Sequence, residues 1–205
     1  MRTLATWRQR RRDGERGQSL VEFALIFPIF ILLLIGLIEF AVVFSIILNV
    51  NYASRDAALM AAEVGDASGA DCLILQRLDS ALNGATSHDQ ILSIRIIWAD
   101  ANGAEVVVGG VPQVDVYTEG GSTSCVLGDG STLTVPYTAG AQNYPESARC
   151  TIVAGCGGVH PGLDTIGVTI EYHHDWITPL PNIVSVPATG LTFTRSNTMR
   201  MEPVL

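Results

Sequence analysis

Two carboxylic acids, Glu22 and Glu39, stand inside an otherwise apolar run. Residues 23–38 between them carry no charge, and the apolar character continues over residues 40–48. A carboxylate at the centre of a bilayer costs up to about 2.5–3.5 kcal/mol, so it stays near the headgroups or finds a partner. The partner that Glu22 calls for is a positive group on another subunit. Glu39 reads as lying near the far interface, with a packing role once helices associate.

Four cysteines, Cys72, Cys125, Cys150 and Cys156, are the next reactive set. An even count favours two disulfides with three possible connectivities. Cys150 and Cys156 would close a short loop, which leans toward that pair and toward Cys72 with Cys125. Zinc needs tighter ligand pairs than this chain has. His173, His174 and Asp175 form the one compact polar cluster. Neighbours on a strand point to opposite faces, so the two histidines cannot easily share a metal, and His160 is distant in sequence. No nucleophile elbow, zinc-protease helix or phosphate-cradling glycine loop is present. The reading is a non-enzyme without cofactor or metal.

The apolar run decides the organisation. Residues 23–48 make about 39 Å of helix, enough to cross a ~30 Å hydrocarbon core with some tilt. A cleaved secretory signal has a shorter apolar region and a small-residue cleavage site, which fits less well. There is no lysine, and half of the twelve arginines (Arg2, Arg8, Arg10, Arg11, Arg12, Arg16) precede the run. Positive residues stay in the cytoplasm, so the N-terminus is expected inside and everything beyond residue 48 outside. Disulfides persist on that side. The outer part carries six arginines against sixteen carboxylates, a net −10, which argues against nucleic acid as a partner.

A glycine at 17, Gln18 after it, glutamate five residues on at 22 and a long apolar helix form a pattern that resembles type IV prepilins. The segment RGQSLVEFALIFPIFILLLIGLIEFA resembles the N-terminus of TadE-like proteins, pilin-like components of tight-adherence (Flp) pilus systems. VTIEYHHDWITPL and SNTMRMEP resemble that family's closing segments. The resemblance implies cleavage between Gly17 and Gln18 by a membrane prepilin peptidase, leaving a new ammonium at Gln18, four residues before Glu22. It also implies other pilin-like subunits and a pilus assembly platform as partners, besides membrane lipid. The protein would then be a minor pilin-like subunit in the inner membrane, able to enter a surface pilus. The alternative is a plain signal anchor holding an extracytoplasmic binding domain unrelated to pili.

The remaining elements fit an α+β, pilin-like fold. Residues 1–17 are a basic leader, expected without fixed structure; 18–48 form the transmembrane helix, with Pro28 tolerated inside it. The helix then turns amphipathic: Ile46, Val50, Ala53, Ala57, Met60 and Val64 step by three and four and ask for a partner surface. The outer domain, 49–205, continues with helix 49–64, a second helix over 70–83 and a mainly antiparallel sheet of about four strands between 91 and 201. Strand 91–100 is expected to pair through Asn102-Gly103 with 104–111 as a hairpin. Residues 118–163 read as an irregular insertion, a natural place for a subunit contact. Alternation over 167–180 and 190–201 gives the last strands.

Overall fold

The structure is a computed structural model that describes residues 5–82, 86–179, 181, 183, 187 and 189–202, with side chains from residue 17 onward. The last residue of the helix expected over 70–83 and the arginine side chains of the leader lie outside the described residues. Two compact units result: Met1–Val42 with Trp176–Val186, and Val43–Asp175 with Pro187–Leu205.

Helix α1 runs without interruption over Ala5–Val64 and carries Pro28 inside it. The leader is therefore helical from Ala5, against the expectation of no fixed structure. Its residues, arginine, glutamine and glutamate among them, are good helix formers, and no proline stands in their way. Gly65 ends α1, and its N–H donates to the Ala61 carbonyl at 3.1 Å.

In the larger unit, α2 (Ala70–Ala81) follows, then strands β1 (Ile91–Ala99), β2 (Val107–Val108), β3 (Val111–Pro112), β4 (Val114–Val126), β5 (Thr132–Gln142), β6 (Thr165–His174) and β7 (Leu191–Arg200). Five of these form one antiparallel sheet in the order β5-β4-β1-β6-β7, one strand more than expected. One face is apolar: Ile94 opposes Ile170, Ile96 opposes Val168, and all four are fully buried. The other face carries Arg95 against Glu105 and Thr169 against Ser196.

The C-terminal third of α1 supplies the buried stripe. Ile46, Val50, Ala53, Ala57 and Ala61 are buried, while Met60 and Val64 are half-buried at its margin. Ser54 and Ala58 complete a line of small side chains that lets helix and sheet come close. Ser54 Oγ donates to the Val168 carbonyl at 2.6 Å, a direct helix-to-strand hydrogen bond.

Two expectations fail here. The hairpin partner of β1 is β4, not 104–111. The expected pairing goes no further than Val106, whose N–H donates to the Trp98 carbonyl at 2.8 Å beside the Ala99–Glu105 bridge; Gly109-Gly110 then folds 107–112 into its own two-stranded turn before the chain returns to β1. Residues 118–142 are not irregular but belong to the long β4–β5 hairpin. Its Gly, Ser and Thr content reflects exposure and a bulge. The pairing shifts between Glu119 and Thr123, where Gly120 and Gly121 have φ of 83° and 93°, and a Cβ at Gly121 would sit 2.2 Å from Thr138 Oγ1. Beyond the bulge the hairpin lies against α2: Val135 and Tyr137 are buried, and Tyr137 donates to Asp79 Oδ1 at 3.0 Å.

A buried polar junction joins α1, α2 and the sheet. Arg149 is fully buried and ion-paired with Asp71 on α2 and with Asp115 on β4; its Nη1 donates to the Gly65 carbonyl at 3.4 Å. Tyr117 donates to Asp71 Oδ2 at 2.8 Å, and the Tyr144 N–H donates to Asp115 Oδ1 at 2.8 Å. Three residues before Arg149, Glu146 accepts from the N–H groups of Gly69 and Asp71 at 2.9 and 3.0 Å. It thereby caps α2 from outside the helix, because the N-cap residue Gly69 offers no side chain.

Two acids share one guanidinium in this junction. Burial, then repulsion from Asp71, pushes the Asp115 carboxyl up to about 7. Burial alone lowers the Arg149 pKa, but Asp71 and its neighbours outweigh it and hold the guanidinium charged. Between the usual carboxylate value and about 7, the native state holds the Asp115 proton that the unfolded chain has lost. Stability therefore falls as pH rises through that window and levels off above it. The full chain in detergent should melt at a higher temperature at pH 5.5 than at pH 7.5. Asp115→Asn keeps the acceptor for Tyr144 and should flatten that difference; an unchanged slope in the variant would remove Asp115 as its source.

Candidate functional site

Between Leu20 and Ile38 most large apolar side chains of α1 are exposed, including Phe23 at 60%, Leu25 at 71% and Ile29 at 64%, while Leu32 and Ile35 are half-buried. A helix apolar on all sides belongs in a core or a bilayer. Little of it is covered by the described residues, and Gly17–Val64 is long and apolar enough to cross a membrane by length and composition.

The acids of this helix sit in different surroundings. Gln18 and Glu22 are one turn apart on the same face, and the Gln18 side-chain amide donates to Glu22 Oε1 at 3.0 Å. Gly17 is exposed, and a Cβ there would meet nothing within 4 Å. The sequence leads one to look for the partner of Glu39 on another helix. The structure gives it one from its own chain. Glu39 is 1% exposed, and its two oxygens accept from the backbone N–H groups of Ile177 at 3.2 Å and Thr178 at 2.9 Å. The carboxyl thus serves as an acceptor fork for a loop about 140 residues downstream. Only the absence of charge in 176–186 hinted at this in the sequence.

The cysteines are joined as Cys72–Cys125 and Cys150–Cys156, with Cα atoms 6.0 and 5.0 Å apart. The first ties α2 to β4 beyond the glycine bulge. By loop-closure entropy, its 53-residue separation contributes about 4 kcal/mol against about 2 for the short loop. His173 and His174 diverge. His173 is bonded to Thr192 Oγ1 at 2.8 Å and lies 3.2 Å from Asp175, whereas His174 is buried. Among the described residues, no three His, Cys, Asp or Glu groups are placed to hold a metal ion.

A second cluster gave no sequence signal. His160 stacks on Trp98 with centroids 4.3 Å apart, and its Nδ1 lies 2.6 Å from Asp164 Oδ1. Asp164 Oδ2 also accepts from the Tyr144 hydroxyl at 2.7 Å and the Cys150 N–H at 2.9 Å. A groove of about 670 Å³ runs beside it, lined by Trp98, Val107 and Pro161 among others. With all these partners on one carboxyl, the arrangement holds the 150–164 loop to the sheet.

The family described as TadE-like protein matches residues 17–59, the stretch from the Gly17 junction through the exposed helix into the buried stripe. That family is a pilus-associated structural one, linked to tight-adherence (Tad/Flp) pilus systems. No curated protein matches the chain, and neither does any solved structure.

Glu39→Ala removes both acceptors from Ile177 and Thr178. A hydrogen bond to a charged group contributes about 1.5–3 kcal/mol, which corresponds to a roughly 10- to 100-fold faster amide exchange at those two positions. Glu39→Gln keeps one acceptor oxygen and should fall between. Exchange by mass spectrometry reads this directly; unchanged protection in Glu39→Ala would show that the loop is held by something else.

Proposed function

We propose that this chain is a minor pilin-like subunit of a tight-adherence pilus, inserted with its N-terminus in the cytoplasm and cut between Gly17 and Gln18 by a prepilin peptidase. The observation that carries the reading is the Gly17–Gln18–Glu22 junction at the head of an uncovered apolar helix, inside the stretch that matches the TadE-like family. The arginine-rich residues before the helix support the orientation.

The chain's own residues suggest how the steps proceed. Gly17 lies inside α1, so the scissile bond must leave the helix before a peptidase can reach it. Glycine lowers helix stability by about 1 kcal/mol relative to alanine, which makes local unwinding cheapest there. Cutting creates an ammonium at Gln18 one helical turn from Glu22. That carboxyl can then pair with its own terminus or with that of a neighbour, which lowers the cost of holding it in lipid. The bare apolar flank supplies van der Waals contact with other helices. The disulfide-braced β domain is the part left to make exposed contacts. No catalytic step is assigned to the chain itself.

Intact mass and N-terminal sequencing of the protein from its native host test the reading. A mature chain starting at Gln18, with or without a methyl group, is the expected result. A chain retaining Arg2 to Gly17 would favour the plain anchored domain instead. In a processed chain, Glu22→Ala is expected to reduce pilus assembly without lowering the melting temperature of the β domain.

A further inference from the structure

The segment that Glu39 holds has an unusual make-up. Residues 176–186 read WITPLPNIVSV, and no charged residue follows Asp175 until Arg195. Pro179 and Pro181 lack N–H groups, so the segment carries fewer backbone donors than its length suggests. Two of its donors, on Ile177 and Thr178, end on Glu39. Its described isoleucines are turned outward: Ile177 is 67% exposed and Ile183 53%. Around Glu39, the α1 side chains Leu37, Ile38 and Phe40 are exposed as well.

The position of Glu39 along the helix says what covers this surface. It lies 17 residues beyond Glu22. That is about 26 Å at 1.5 Å per residue, against a hydrocarbon core of ~30 Å. With Glu22 at one edge, Glu39 falls just inside the other, and the loop fastened to it lies at that same edge. Irregular backbone is tolerated at that depth only where its donors are satisfied, and here prolines remove some while a carboxyl accepts others.

We infer that Trp176–Pro179, with Ile183 beyond them, form a second membrane contact, an interfacial loop that Glu39 latches to the spanning helix and that rests in the lipid at the C-terminal end of the span. The occupant of its exposed apolar surface is the acyl–headgroup boundary of the bilayer. The inference rests on α1 spanning the membrane. It also gives Glu39 a role inside one chain, separate from that proposed for Glu22.

Quenching by brominated lipids tests it on the full chain in phosphatidylcholine vesicles. Trp7 and Trp176 are replaced by Phe; Trp98, buried in the β domain, remains as background. Ile177→Trp is the reporter, with Ile183→Trp as a second should the first fail to fold, and Phe30→Trp marks the span. The expected result is loss of reporter emission with lipids brominated near the headgroup, and less loss with deeply brominated ones. Phe30→Trp should show the reverse order. Quenching at Phe30→Trp but at neither reporter overturns the loop and leaves the span standing. No quenching at Phe30→Trp overturns the span, and the inference with it.

Discussion

The buried Arg149 guanidinium is the constraint around which the β domain closes. A charge with no exposure must find its partners within the protein, and removing one partner of such a group costs about 3–5 kcal/mol. Its partners come from the carbonyl that ends α1, the first turn of α2, the second residue of β4 and the Tyr144 carbonyl nearby in its own segment. Satisfying one side chain therefore fixes three elements at once. The same short segment adds Glu146 as the cap of α2 and Cys150 as an anchor of the small disulfide loop. Five residues thus carry an external helix cap, a buried ion pair and a covalent link. Two acids facing one guanidinium leave Asp115 the one whose carboxyl burial and Asp71 push up to about 7.

Periodicity made much of the fold legible. The three-and-four stepping from Ile46 to Ala61 marked the face of α1 that the sheet covers, and the alternation from Val168 to His174 marked a half-buried strand. Strand pairing was less legible, because it depends on turn geometry. The Asn102-Gly103 turn forms: Asp100 Oδ1 accepts from Asn102 and Ala104 at 2.8 and 2.9 Å. Yet the next glycine pair diverts the chain, so a correct local turn does not produce the expected hairpin. Residues 118–142 were opaque for a related reason. An exposed, bulged ribbon needs no apolar alternation, and polar strands then look like loop.

The residues proposed for the site divide in the same way. Gly17, Gln18 and Glu22 lie within one helical turn or so of one another, and Gln18 is hydrogen-bonded to Glu22, so their spacing displays the relation. Glu39, Asp71 and Asp115 are bonded to partners at least 29 residues away, and no local pattern names those partners. A single acid in an apolar run shows that some compensation exists. Whether the compensating group is a cation, another chain or two backbone amides is set by tertiary placement.

One further consequence attaches to α1. Its two stretches obey different rules of amino-acid replacement, although the helix is continuous. Over residues 20–38 most side chains meet no neighbour within the described residues, so within one chain the exchange of leucine, isoleucine and phenylalanine there is limited chiefly by polarity. At Ala53, Ala57, Ala58 and Ala61 the surroundings are closed, and one extra methylene group must displace a packed neighbour. In diverging copies of this chain, the first stretch would stay apolar and vary most among bulky types where no other helix packs on it. The second would stay small even where it became more polar, as Ser54 already has.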